Sequence, residues 1–268
     1  ALLPKIHKWH QCFFGAAIRR YGGQRQAQAR GVEPDQVRAA MLASVPAGRF
    51  GSEQEFGAAA AFLCSANAGF ITEENTLDQI ENEYMWIIDP LDGTTNFIHG
   101  IPFYSISIAL QRKNETILGV VLEVTSNECF YAWEGSSAFL NEKKIQVSDT
   151  PTLAESLLAT GFPYYDYNRV DNYLALLKHF MQETRGIRRM GSAALDLAYV
   201  ACGRMDGFYE YSLNPWDVAA GAFIVQQAGG KVTDFKGGND YLYGKEIVAG
   251  NSLLFSDFSD AVKEFMSR

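Results

Sequence analysis

Apolar and polar positions change their rhythm twice along the chain. Residues 1 to about 68 are predicted to be helical, with breaks at Gly22, Gly23, Gly31 and Gly48. Within them, Ser52-Glu53-Gln54-Glu55 fits a capping box that opens an alanine-rich helix. The rhythm then shortens. Tyr84-Met85-Trp86-Ile87-Ile88 is an apolar run that stops at Asp89, as expected of a buried strand that delivers a polar group at its end. Strands are expected at about 103–111, 117–124 and 128–133, and a hairpin over Ala138–Val147 with Asn141 and Glu142 near its turn. Consecutive strands with so little helix between them predict a largely antiparallel sheet.

The polar, proline-marked stretch Ser148-Asp149-Thr150-Pro151-Thr152 marks a boundary, so the expected halves are 1–148 (α+β) and 149–268 (α/β). After it the elements alternate: strand 156–160, helix 168–183, strand 186–190, helix 192–202, strand 206–211, helix 215–228, strands 231–235 and 246–250, helix 255–267. A ligand site is expected at one end of the strands of this α/β half.

The 268 residues are 47% hydrophobic and 20% charged, which excludes a disordered or collagen-like chain. The net charge of −8, with no basic block, argues against a nucleic-acid partner. An acidic protein that handles an anion needs help, most simply from metal ions. The four cysteines, Cys12, Cys64, Cys129 and Cys202, are too far apart for a zinc motif. No apolar run reaches the ~18–20 residues that span a bilayer, and the opening segment lacks a signal-peptide core, so the expectation is a soluble, cytoplasmic protein in no contact with a membrane.

The stretch richest in chemistry is Trp86-Ile87-Ile88-Asp89-Pro90-Leu91-Asp92-Gly93-Thr94-Thr95-Asn96-Phe97. Two carboxylates three residues apart at a strand end can converge on a hard divalent cation such as magnesium, which prefers oxygen ligands. Gly93 leaves the backbone open to a close-approaching ligand, and the amides of the following turn suit an anion. Downstream, Asn214-Pro215-Trp216-Asp217-Val218 reads as a helix start with Asp217 in its first turn. Each acid also has a plain structural reading: Asp217 complements a helix dipole, Asp92 caps its own turn, and Glu73 and Glu74 are solvated loop charges.

Together these stretches are similar to a known family. WIIDPLDGTTNF and NPWDVAAGAFIVQQAGG resemble the paired signatures of the inositol monophosphatase family, within the lithium-sensitive, magnesium-dependent phosphatase superfamily; ITEE and GSAALDLAYVACGRMDGFYE precede them. The resemblance runs from about Gly69 to near the C-terminus. It implies the layered α and β sandwich of the inositol monophosphatase and fructose-1,6-bisphosphatase type, a homodimer, and an active site between the two halves.

The resemblance also implies roles. Metal ligands fall on Glu73, Asp89, the Leu91 carbonyl, Asp92 and Asp217, which would hold two or three Mg²⁺. Asp89 bridges two ions, Glu73 helps position the attacking water, and Thr94 helps orient it. The amides of Gly93, Thr94 and Thr95 receive phosphate oxygens. Gly191, Ser192, Ala193 and Glu210 face the leaving group, with Asp217 nearby. Without the resemblance, Glu210 reads more readily as a solvated strand-end charge. Arg188 and Arg189 suit a phosphate, a subunit interface or solubility, and the Tyr164–Tyr167 cluster suits a loop over an edge. His99 reads as a packing residue.

The resemblance implies a magnesium-dependent phosphomonoesterase that acts on inositol monophosphate or a related small sugar or polyol phosphate. Fructose 1,6-bisphosphate and 3′-phosphoadenosine nucleotides are alternative substrates of the same chemistry. The family normally carries a Thr-x-x-Asp segment and a lysine upstream of the Glu73 position. Here that region reads Val45-Pro46-Ala47-Gly48-Arg49-Phe50-Gly51-Ser52, with no Asp between Asp35 and Asp78 and no Lys between Lys8 and Lys113. A catalytically weakened binding or regulatory homologue is therefore a further alternative. A two-carboxylate glycosidase that works without metal is a remote one.

Overall fold

The structure, a computed structural model, describes residues 68–72 and 83–266. The helices expected before residue 68, the departure at residues 45–52, and Glu73 and Glu74 lie outside the described residues. Seven strands form a first sheet in chain order: β1 (Ala68–Thr72), β2 (Tyr84–Asp92), β3 (Ser105–Arg112), β4 (Glu115–Glu123), β5 (Glu128–Trp133), β6 (Phe139–Leu140) and β7 (Lys143–Lys144). β1 pairs with β2 in parallel and every other pair is antiparallel. Asn141 and Glu142 turn between β6 and β7 with φ of 45° and 71°, the left-handed conformation of a tight hairpin. A six-residue helix, α1 (Thr94–His99), follows β2.

The second sheet has five strands: β8 (Leu157–Thr160), β9 (Gly186–Arg188), β10 (Gly207–Tyr211), β11 (Lys231–Thr233) and β12 (Glu246–Gly250). Their order is β11-β12-β10-β8-β9. β8 runs parallel to both β9 and β10, whereas β12 is antiparallel to β10 and β11. The further α-helices among the described residues are α2 (Val170–Glu183), α3 (Ala193–Ala201), α4 (Pro215–Gln227) and α5 (Phe255–Met266).

Sequence character decides which helix goes where. α3 and α4 are apolar nearly all round and rich in alanine, so they are buried between the two sheets and contact strands of both. α5 buries only the stripe Phe255, Phe258, Val262 and Met266, and with α2 it covers the outer face of the smaller sheet. The described residues therefore stack as sheet, helix pair, sheet, helix pair. One core cluster runs from Ile87, Ala109 and Val121 of the first sheet through Leu197 and Ile224 to Phe208 and Ile247 of the second. The Ser148–Thr152 segment is fastened to this body: Ser148 Oγ donates to Asp206 Oδ1 at 2.5 Å and Asn251 Nδ2 to the Thr150 carbonyl at 3.1 Å. No helix among the described residues is long and apolar enough to cross a membrane.

Candidate active site

Side chains alternate across a strand, so Asp89 and Asp92, three residues apart, belong on opposite faces of a regular β2. A bulge removes that conflict. Asp89 pairs with Ser107 but Asp92 pairs with Ser105, so β2 spends three residues where β3 spends two. The extra residue returns Asp92 to the face that carries Asp89. Pro90, which has no amide proton, sits inside the bulge. The Leu91 amide donates to Asp89 Oδ1 at 2.8 Å, and Thr94 Oγ1 donates to the Leu91 carbonyl at 2.9 Å. Gly93 follows with φ of 89°, and a Cβ there would lie 3.1 Å from the Phe103 carbonyl, so both conformation and space require glycine.

The partner strand fastens the site to the helices beneath. Ser107 Oγ donates to the Trp216 carbonyl at 3.1 Å, which docks the start of α4 and with it Asp217. Ser105 Oγ lies 3.2 Å from Ser192 Oγ, and Ser192 Oγ donates to Asp92 Oδ2 at 2.6 Å. The Ala194 amide, in the first turn of α3, donates to the same Asp92 oxygen at 2.8 Å. Asn96 Nδ2 ties the Thr94–His99 helix to the Met190 carbonyl at 2.8 Å, just before Gly191. Asp92 therefore anchors α3 from across the molecule, where its plain reading had it cap its own turn. Asp217 does take the Asn214 amide at 2.7 Å, so it serves its helix start and still faces the cavity.

These elements enclose a cavity of about 250 Å³. Its walls include Asp89, Leu91, Asp92, Gly93, Thr94, Thr95, Gly191, Ser192, Ala193, Glu210 and Asp217. Every expected site residue among those described thus faces one space, and Glu73 lies outside the described residues. Glu210 is buried, at 7% exposure, so its reading as a solvated strand-end charge is replaced by that of a cavity wall. Arg189 lines the cavity with its guanidinium over the rings of Phe162 and Tyr164, at 5.4 and 5.5 Å. Tyr164 and Tyr165 form part of the rim, while Arg188 and His99 are exposed.

Three residues were missed by sequence reasoning: Ser105, Ser107 and Asp196. The serines alternate with Ile106 and Ile108, a polar face in an otherwise apolar strand. Asp196 is the lone charge in the apolar AALDLAYVA helix.

Oxygens of Asp89, Asp92 and Asp217 all lie within 4.8 Å of one another. Asp89 and Asp92 are buried. Burial pushes the Asp92 carboxyl up to about 6, against hydrogen bonds from Ser192 and from the backbone of Ala194, Ala193 and Gly93 that lower it. Glu210 is raised well above the usual carboxyl range, first by burial and then by the charges of Asp217 and Asp92, with Arg189 opposing. Two buried carboxylates and the half-buried Asp217 this close together could hold a cation. The donors are hard oxygens, with the Leu91 carbonyl beside them and no thiolate or imidazole in the cluster among the described residues, which fits Mg²⁺.

Comparison with known proteins decides the lineage. Residues 39–264 match the inositol monophosphatase family. This chain belongs to that family. It is 42% identical over 200 residues to inositol-1-monophosphatase of Mesorhizobium japonicum, covering 74% of this chain and 75% of that protein. It is also 49% identical over 175 residues to Nus factor SuhB of Pseudomonas aeruginosa, covering 65% of each. Among solved structures, the extragenic suppressor protein SuhB from Bartonella henselae superposes with a TM-score of 0.73 at 42% identity, over 79% of this chain and 81% of that one. Inositol monophosphatase from Anabaena (Nostoc) sp. PCC 7120 gives 0.74 at 34% identity, over 94% and 91%. The layered α and β sandwich expected from the sequence is the fold of this family. The family is one of phosphatases that in general depend on Mg²⁺.

Proposed function

We propose that this protein is a cytoplasmic, homodimeric phosphomonoesterase that hydrolyses inositol monophosphate or a related small polyol phosphate in a Mg²⁺-dependent reaction. The observation that carries this reading is the Asp89, Asp92 and Asp217 cluster next to the Gly93–Thr95 turn, in a chain of this family. Asp89, Asp92, Asp217 and the Leu91 carbonyl would hold the ions, with Glu73 completing the set. Bound Mg²⁺ would supply Lewis acidity, polarising the phosphoryl group and lowering the pKa of water.

The chain's own groups do the rest. The amides of Gly93, Thr94 and Thr95 receive phosphate oxygens, and the Thr94 hydroxyl orients the attacking water. Gly191, Ser192, Ala193 and Glu210 hold the leaving alcohol, Glu210 by accepting hydrogen bonds from its hydroxyls. The site lies between the halves 1–148 and 149–268, and no covalent enzyme intermediate forms.

Phosphate release from inositol 1-phosphate, measured with Mg²⁺, with EDTA and with Asp92→Asn, tests the reading. Both EDTA and the variant are expected to lower the rate by about 100-fold or more. Release indifferent to both sinks it.

A second reading rests on relatives named Nus factor SuhB, 46% identical over 202 residues in Escherichia coli. In it the chain keeps the site for binding and serves a non-catalytic role. Calorimetric binding of Mg²⁺ and inorganic phosphate without turnover across a panel of inositol, fructose and nucleotide phosphates favours this second reading.

A further inference from the structure

Two cavity carboxyls, Glu210 and Asp196, belong to neither the metal cluster nor the phosphate turn, and Asp196 is the one still without a role. Asp196 is 1% exposed and lines the cavity, yet its Oδ1 has no hydrogen-bond partner among the described residues. Buried polar atoms are nearly always paired, because leaving one unpaired costs about 1–3 kcal/mol.

Three structural roles for it fail on particulars. It does not cap α3, since Ser192 caps that helix and the first-turn amides are taken: Ala194 donates to Asp92, and Leu195 to Ser192 Oγ at 3.4 Å. It forms no ion pair among the described residues, although Arg189 lines the same cavity and has its own Nε buried without a partner. It is not apolar packing. Among the described residues, the partner left is a hydroxyl-bearing molecule in the cavity, a water or the hydroxyl of a bound ligand.

The surroundings define the chemistry of that molecule at this spot. Glu210 from β10 and Asp92 from β2 raise the Asp196 carboxyl, after burial, while Arg189 opposes them. A second anion is disfavoured beside these acids. Alcohol hydroxyls fit, because each can donate to a carboxylate oxygen or accept from a protonated one. Glu210 faces the same cavity, and its aim depends on one neighbour: a Cβ at Gly161 would lie 2.1 Å from the Glu210 Cδ and from both carboxyl oxygens. The Gly161 carbonyl is itself held by the Tyr173 hydroxyl.

We propose that Asp196 is a substrate-binding residue that, together with Glu210, reads neighbouring hydroxyls of the leaving alcohol and so selects polyol phosphates. This rests on the phosphatase reading above. Gly161 acts through Glu210 as a positioning residue.

The test is steady-state kinetics of the full chain with Mg²⁺, on inositol 1-phosphate and on p-nitrophenyl phosphate, whose leaving group has no aliphatic hydroxyl. Asp196→Leu and Gly161→Ala are each expected to lower the ratio of kcat/KM for the inositol ester over the nitrophenyl ester about tenfold, mainly through KM. Asp196→Asn, which keeps the shape and some hydrogen bonding, should recover part of that ratio. An unchanged ratio in Asp196→Leu and Asp196→Asn overturns the proposal, as does a loss that tracks the fall in melting temperature. Wild-type protein that cleaves neither ester overturns the phosphatase reading instead. Calorimetric binding of inositol 1-phosphate then decides for Asp196: about tenfold weaker binding to Asp196→Leu supports it, and equal affinity overturns it.

Discussion

Burial raises the Asp92 carboxyl to about 6, while the Ser192 hydroxyl and nearby backbone amides hold it down, so its charge depends on a neighbour a hundred residues away. Ser192→Ala removes a donor to Asp92 and the cap of α3 together. The expected result is a loss of about 1 kcal/mol in stability and a Mg²⁺ half-saturation about 10–100-fold higher. Thermal melting and a Mg²⁺ titration of the initial rate check both, and Ser192→Thr, which keeps the hydroxyl, should restore most of each. A stability loss with an unchanged Mg²⁺ requirement would separate the cap from the site. The acids Asp89, Asp92 and Asp217 were legible in the sequence because each sits at an abrupt polar stop beside an apolar element. Ser192 was legible only through the family motif. Ser105, Ser107 and Asp196 were not read at all, since their meaning comes from a partner strand or a cavity wall that one-dimensional pattern does not show.

Among the described residues after Gly100, elements were legible to within about three residues, because alternation and amphipathic stripes report directly on burial; β2 runs on to Asp92, four residues past the apolar run that ends at Ile88. The order β11-β12-β10-β8-β9 and the bulge between Asp89 and Asp92 were not legible, because both depend on which strands meet. That bulge and the α3–β10 pairing set the electrostatics. Asp196 on α3 and Glu210 on β10 are both raised above ordinary carboxyl values by burial. Asp92 presses on both, Asp217 presses further on Glu210, and Arg189 offsets part.

In the window between the ordinary carboxyl pKa and these raised ones, the folded state binds more protons than the unfolded state. The stability that these two groups contribute to the metal-free protein is therefore full below that window and is lost as pH rises through it. Asp196→Asn removes one of the two groups. Melting curves in EDTA should show a shallower fall from pH 5 to pH 8, and a melting temperature higher than wild type by a few degrees at pH 8. A slope identical to wild type would mean that Asp196 ionises without penalty.

Across the whole molecule, the net charge of −8 includes three carboxylates crowded into one site. The three carboxylates that meet within 4.8 Å come from β2 and α4, parts of the chain that one shared core holds together. Like charges at that distance repel. The fold therefore keeps, at a cost in its metal-free state, a cluster whose repulsion a divalent cation reverses. Removing one charge should then change stability in opposite directions with and without metal.

Asp217→Asn keeps an oxygen to accept the Asn214 amide, so the start of α4 stays intact. In EDTA the variant is expected to melt at or above the wild-type temperature. With Mg²⁺ at about 100 times its dissociation constant, wild type gains about 2.7 kcal/mol, a rise on the order of 5–10 °C for a chain of this size. The variant, with one ligand fewer, should gain less than half of that. Calorimetric scans of both proteins in the two buffers test it. If Asp217→Asn melted below wild type in EDTA and rose equally with Mg²⁺, Asp217 would be part of the framework of α4 and not a metal ligand.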